Sequence, residues 1–323
     1  MSPGVLVPIA FGIVLLLGVL EIGDVHQVGQ DIALFPRIQA ALIFVLVASY
    51  ICIRCGQWHF FLRFMKVSTT WRRSTVAFVG GEATESLPVG IYFANVLLQR
   101  ATGVSVAQTA PATMVSILLE VACSCVYLVV VPIPPWRWLR PVIVGGLAIF
   151  GILLSIIVHL GWHVRLPQPA YRYHRWVRWL SVQTRMFQKG TRALASPRAL
   201  LPGAGFSVVY LATIGGAYYV ILRAVGVASV SYWDALAAYL FGLAAGLILP
   251  TPTEIGVAEL TGLGALNALG VDLGHAATTV LLFRLMFIGF SMIFALLTFG
   301  VLHRDTAMIF RTVEEPRTAA PSI

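Results

Sequence analysis

Charge is what this sequence has least of. Only 11% of its 323 residues are charged, against roughly 25% in a soluble domain. Hydrophobic residues make up 59%, and the mean hydropathy is +0.87. This excludes a soluble globular protein. The apolar residues run continuously rather than alternating with polar ones, which excludes a membrane barrel and leaves helices. No Gly-rich loop is followed by Lys and Ser/Thr, and no helix carries the paired His of a zinc protease. The seven histidines are dispersed, and His159, His163 and His174 have no nucleophile or carboxylate placed to work with them. No cofactor is implied. Cysteine is scarce too: Cys52, Cys55, Cys123 and Cys125 all lie in or beside apolar runs. Cys52, Cys55 and His59 share a helix face, but a closed zinc site needs four ligands, so packing by small residues is the preferred reading. The N-terminal stretch MSPGVLVPIAFGIVLLLGVLEIGD has no Lys or Arg before its apolar core and no clear cleavage site. It reads as a retained first span rather than a signal peptide.

What is present is a set of apolar runs near the ~20 residues needed to cross a bilayer. They fall at 4–20, 38–60, 106–131, 141–160, 200–222 and 273–302. Two further stretches, 75–99 and 233–269, are apolar but interrupted. Basic residues cluster in three places: Arg54 to Arg73, the loop from 161 to 198, and the tail with Arg304, Arg311 and Arg317. The loop contains no acid. An anionic cytoplasmic leaflet is therefore a better partner for it than nucleic acid. All three clusters face the cytoplasm, as both termini do, only if each interrupted stretch enters and leaves on the same side. The predicted fold is thus an all-α integral membrane protein of about six full spans plus two re-entrant helical hairpins. The hairpins belong to an inverted repeat, with halves near 38–131 and 200–302. In both halves Leu-Pro (Leu87-Pro88, Leu249-Pro250) precedes Gly-Val (Gly103-Val104, Gly270-Val271) and an Ala/Thr-rich helix start. Paired Gly/Pro-interrupted segments of this kind point to a transporter site.

Within the basic loop, YRYHRWVRWLSVQTRMF reads as an interfacial helix. Trp176, Val177, Leu180, Thr184 and Phe187 form one face, and Arg172, Arg175, Arg178 and Arg185 form the other, toward membrane phosphates. A simple topology anchor is the equal alternative. Residues 1–305 form one membrane domain, and 306–323 are expected to be disordered.

Charge inside the apolar runs costs at least ~2.5–3.5 kcal/mol per residue and needs a partner or a wet cavity. Both interrupted stretches carry two carboxylates near their break: Glu82 and Glu85, then Glu254 and Glu259. In LPTPTEIGVAEL, Pro250 and Pro252 stop one half-helix, Thr251 or Thr253 caps the next, and Gly256 allows close backbone approach. A helix N-terminus there attracts anions, including phosphate. Glu254 fits the first turn, where capping is its bland role. Glu259 lies further in, where Arg284 can reach it, either as a structural ion pair or as a gated pair holding a lipid phosphate. Arg100 is the matching cation of the first half, or a snorkelling residue at a helix end. Glu120 and Asp234 read as polar packing or end residues, and Asp272 as a turn residue before the last helix.

The segment LPTPTEIGVAELTGLGALNALGVDLGHAATTVLLFRLMF resembles the closing motif of the lysylphosphatidylglycerol synthase transmembrane-region family. The match falls on Pro250, Pro252, Gly256, Val257, Glu259, Gly270, Val271 and Arg284. GGEATESLPVGIYFANVLLQRATGV looks like its first-half counterpart, although Ile91-Tyr92-Phe93-Ala94 stands where that family has an acid and an Arg. The resemblance covers about residues 5 to 305 without the soluble aminoacyl-transfer domain of the synthase, so lysyl transfer is not expected of this chain. It implies a flippase-like protein moving a phospholipid, polyprenyl-linked or hopanoid-type lipid between leaflets of the cytoplasmic membrane. An intramembrane lipid-modifying enzyme using paired carboxylates is the runner-up. A non-transporting partner of a lipid-synthesis enzyme is a third reading.

Overall fold

The computed structural model describes residues 35–83, 92–131, 140–141, 143–145, 151, 175–248 and 256–311. The first apolar run, most of the fourth, both Leu-Pro breaks with Glu85, Pro250 and Glu254, Arg172, and the chain beyond 311 lie outside the described residues.

The main helices of the described residues are α1 (Arg37–Phe64), α2 (Trp71–Glu82), α3 (Phe93–Thr102), α4 (Val106–Val130), α5 (Arg175–Leu194), α6 (Pro197–Ala224), α7 (Tyr232–Ile248), α8 (Val257–Ala268), α9 (Leu273–Val301) and α10 (His303–Arg311). Four of them, α1, α4, α6 and α9, are long and apolar enough to cross a membrane. They coincide with four of the six predicted spans, and at ~1.5 Å per residue each exceeds the ~30 Å hydrocarbon thickness. By contrast α2 and α8 have 12 residues each and α3 has 10. Each reaches about 18 Å or less and cannot cross alone.

The bundle is organised around α1 and α6, both 28 residues long. They run antiparallel: Gln57 Nε2 donates to Gly203 O and Ser207 Oγ, both at 2.8 Å, while Leu46 packs beside Gly216. Both helices end in the same reversal. Lys66 (φ 59°) and Gly226 (φ 92°) take the left-handed position. The Val67 and Val227 amides then donate back to Leu62 O and Leu222 O, closing the six-to-one bond of a Schellman end. Gly103 (φ 74°) and Gly270 (φ 85°) provide the left-handed turns that lead into α4 and α9, at the two Gly-Val pairs.

The packing is unchanged when α1, α2, α3 and α4 are exchanged with α6, α7, α8 and α9. α2 lies on α3 as α7 lies on α8, α4 on α7 as α9 on α2, and α4 on α6 as α9 on α1. Tyr50 is the fourteenth residue of α1 and Tyr210 the fourteenth of α6. Their rings meet edge-on with centroids 5.6 Å apart, so equivalent positions touch each other at the centre of the bundle.

One end of the bundle gathers basic side chains. Gly190 of α5 packs on Pro111 of α4 and Met65 after α1, and Arg73 Nε at the start of α2 lies 3.8 Å from Asp305 Oδ1 of α10. Exposed Arg63, Lys66, Arg72, Arg185, Lys189, Arg192 and Arg198 belong to these same helix ends.

Two expectations need correction. α5 is amphipathic, but its inner face carries Met186, Phe187, Gly190, Thr191 and Leu194 and rests on α4, whereas Thr184 is exposed. The helix continues seven residues past Phe187, and the added turns supply the packing. Arg175 and Arg178 lie on its backbone, and Arg185 is exposed. The tail is also not disordered from 306: α10 extends to Arg311, packs on α2 and α3, and buries Ile309.

Candidate functional site

Between the two sets of helices lies a cavity of about 110 Å³, room for several water molecules. Its walls come from seven of the eight exchanged helices: Tyr50 of α1, Glu82 at the end of α2, Glu120 of α4, Tyr218 of α6, Tyr239 of α7, Glu259 of α8 and Arg284 of α9. Phe283 and Phe287 stack at 5.9 Å, and Tyr218 and Tyr239 meet Phe283 at 5.1 and 5.4 Å. Aromatic faces thus form one wall, with carboxylates and a guanidinium on the others.

Two ion clusters face this space. In the first, Arg54 Nη1 donates to Glu82 Oε1 at 2.8 Å and to the Tyr50 hydroxyl at 2.7 Å. Its Nη2 reaches Glu120 Oε2 at 3.3 Å. The guanidinium carbon also lies 5.2 and 5.7 Å from the ring centroids of Tyr50 and Tyr210, close enough for cation–π attraction. All three charged side chains are buried. In the second cluster Arg284 Nε lies 3.2 Å from Glu259 Oε1. That contact lacks the alignment of a hydrogen bond, and the buried Nε has no hydrogen-bond acceptor among the described residues. Ser291 Oγ, also on the cavity wall and buried, has none either.

The position of Glu259 follows from local chain geometry. Gly256 takes φ 98° and ψ −50°, a conformation that L side chains rarely adopt, and α8 begins immediately after it. Glu259 is then the third residue of the helix, and its Oε2 accepts the Gly256 N–H. A carboxylate there satisfies one orphan amide and is favoured by the helix dipole. The described helix begins after Gly256 rather than near Thr253, and Glu259 takes the capping role, while Glu254 lies outside the described residues.

The sequence reading brings Glu259, Arg284 and Glu82 to one cavity, as the structure does, and puts Gly256 beside them. Arg100 is exposed in the last turn of α3 and is not among the described cavity-lining residues. The first-half cation at the cavity is Arg54, which the sequence reading groups with the cytoplasmic charges. Glu120, read there as a lone acid, is its partner. Both lie inside long apolar runs, and an ionisable residue inside such a run is itself the signal of a site. Cys55 Sγ meets Thr75 Oγ1 at 3.7 Å, and His59 Nδ1 meets Ser74 Oγ at 2.7 Å, while Cys52 is exposed. The three do not converge.

A second, smaller cavity of about 30 Å³ is lined by Trp58, Thr113, Ser116 and Ile117, with Arg54 and Glu82. These first four occupy the same places along α1 and α4 as Tyr218, Val280, Phe283 and Arg284 occupy along α6 and α9, and those four line the larger cavity. Here Trp58 Nε1 and Asn95 Nδ2 both donate to Thr113 Oγ1. Glu82 belongs to both walls. The two cavities are equivalent under exchange of the halves and differ in size, about 110 against about 30 Å³.

The family described as the lysylphosphatidylglycerol synthase TM region matches residues 5–296. No curated protein matches the chain.

Proposed function

The chain belongs to the lysylphosphatidylglycerol synthase TM region family, and on that premise we propose that it moves a lipid between the leaflets of the cytoplasmic membrane. The cargo is a phospholipid, a polyprenyl-linked lipid or a hopanoid-type lipid whose polar head crosses through the cavity while its tails stay in the bilayer. The observation that carries this reading is the Arg284–Glu259 pair on the wall of a cavity that reaches the outer surface of the bundle. Ile288 lines the cavity and is 38% exposed. Leu285 and Met292, its neighbours on α9, also face outward. A lipid headgroup can therefore enter sideways from the bilayer and meet a guanidinium with an unspent N–H donor.

In this reading α2–α3 and α7–α8 are re-entrant hairpins entering from opposite faces, and the two halves form an inverted repeat. The short helices and the exchange of packing partners support this, since a two-fold axis in the membrane plane inverts one half relative to the other. In this proposal the hairpin tips are assigned to the breaks at Leu87-Pro88 and Leu249-Pro250, with Glu85, Glu254 and Pro250, all outside the described residues. The larger cavity and its smaller counterpart would exchange roles as the headgroup passes, with Glu82 and Arg54 between them. The basic end faces the cytoplasm with both termini. Arg172, Arg175, Arg178 and Arg185 of the α5 region lie against anionic headgroups, where a lipid-synthesis enzyme could also dock.

The test is reconstitution of the purified chain in liposomes carrying a fluorescent phosphatidylglycerol. Lipid that changes leaflet unaltered supports transport, and a new lipid species would instead indicate catalysis. Charge-assisted hydrogen bonds to a phosphate contribute about 1.5–3 kcal/mol, so Arg284→Gln should slow the movement by about tenfold or more. An unchanged rate in Arg284→Gln would remove the basis of the assignment.

A further inference from the structure

Charge balance in the larger cavity carries a further conclusion about what accompanies the cargo. The described groups on or bonded to its wall comprise three carboxylates, Glu82, Glu120 and Glu259, against two guanidiniums, Arg54 and Arg284. Uncompensated charge in a buried site is strongly disfavoured. An entering monoanionic headgroup adds one more negative charge and takes Arg284 away from Glu259.

Resting on the transport reading, we propose that the cavity takes up one proton with each anionic headgroup it loads, and that Glu259 receives it. The two carboxylate oxygens have separate tasks. Oε2 accepts the Gly256 N–H and holds the start of α8. Oε1 faces Arg284 at 3.2 Å. When a phosphate oxygen takes the Arg284 N–H groups, Oε1 loses its counter-ion. A proton from the aqueous phase then forms an O–H bond at Oε1, and the cap at Oε2 is untouched. The new hydroxyl can donate to the phosphate that displaced it.

No other described group near Glu259 replaces the lost cation. From α6 it faces Tyr218 and from α7 Tyr239, both neutral phenols, and from α9 only Arg284 itself. Across the cavity α2 and α4 present Glu82 and Glu120, with Arg54 and Tyr50 of α1 bonded into that cluster. Asp272 and His275 belong to the turn at the far end of α8 and pair with each other. A zwitterionic headgroup behaves differently, because its own ammonium supplies the balancing charge and no proton is required.

The experiment is isothermal titration of the full-length chain in detergent micelles with short-chain phosphatidylglycerol and, separately, short-chain phosphatidylcholine. Each is run in buffers of different ionisation enthalpy, which reports protons taken up per lipid bound. The expected result is about one proton for phosphatidylglycerol and about none for phosphatidylcholine. In Glu259→Gln, whose amide oxygen can still accept the Gly256 N–H, phosphatidylglycerol should bind with about no proton uptake. Phosphatidylglycerol binding to the unaltered chain without a proton, equal uptake with both lipids, or uptake that persists in Glu259→Gln would each overturn the proposal. The contrast between the two lipids stands even if the variant does not fold. Proton-linked binding without lipid movement in liposomes would sink the transport reading and leave this one standing. Failure of both lipids to bind would overturn both.

Discussion

Removing the charge of Arg54 tests the architecture most directly. Arg54→Met keeps a long unbranched side chain but deletes the bonds to Glu82 at 2.8 Å, Tyr50 at 2.7 Å and Glu120 at 3.3 Å. It also removes the guanidinium from the two tyrosine rings. Breaking a buried ion pair from one side costs about 3–5 kcal/mol, and a desolvated cation–π contact is worth about 2 kcal/mol. The same group makes all these interactions, so the figures do not add, and about 3–5 kcal/mol is the expected loss. At roughly 2–4 °C per kcal/mol, the melting temperature should fall by about 6 °C or more. Intrinsic tryptophan fluorescence of the chain in detergent micelles reads it. Most of the cost comes from taking the guanidinium away from two buried carboxylates, and less from the missing hydrogen bonds themselves. Adding Glu82→Gln and Glu120→Gln should recover part of the loss, because the cluster then carries no carboxylate charge. A single variant melting within about 2 °C of the parent at pH 8 would refute the reasoning. A triple variant no better than the single would do the same.

Three further outcomes follow from the geometry. Gly256→Ala places a Cβ on a residue at φ 98° and should cost about 1–3 kcal/mol, visible as a lower melting temperature with the helix content by circular dichroism unchanged. Gly203→Ala puts a Cβ 2.5 Å from Phe61 Cζ and 2.8 Å from Leu119 Cδ1, so overpacking where α6 crosses α1 and α4 should destabilise by about 1–3 kcal/mol, read by the same melt. Single cysteines introduced at Arg72 and Arg198, in a chain whose four native cysteines have been replaced, should react with a membrane-impermeant maleimide from the same aqueous side. Labelling from opposite sides would break the topology that requires the hairpins.

The long helices are legible in the sequence because continuous apolar runs leave few alternatives: α4 and α9 start at the residues expected, and α1 and α6 within a few. The left-handed glycines are legible for the same local reason, since Gly103 and Gly270 precede valine at the ends of short helical runs. Glu259 and Arg284 are found because charge inside an apolar run demands a partner. The same logic applies to Arg54, but its neighbours in sequence, Arg63 and Lys66, belong to the exposed helix end and draw it into their group. Only the packing of α1 on α2 and α4 shows that Arg54 points inward. The start of α8 is missed because Pro250 and Thr253 are strong boundary signals, while Gly256 looks like one more small residue until its backbone angles are known. α10 is missed because its nine residues are too short a run to stand out beside the polar tail that follows, and its order comes from docking against α2 and α3 with Ile309 buried.

The meeting of Tyr50 with Tyr210 has one more consequence. Arg54 is the eighteenth residue of α1, and the eighteenth of α6 is Ile214, fully buried. Two identical copies associating as a dimer would have to place the same side chain on both sides of that junction, and two guanidiniums there would repel across the same pair of rings. Joining both copies in a single polypeptide lets one carry the cation and the other an aliphatic filler. A cation at one of two equivalent places beside the Tyr50–Tyr210 contact, with an aliphatic residue at the other, is thus something a covalent tandem can have and a symmetric pair cannot.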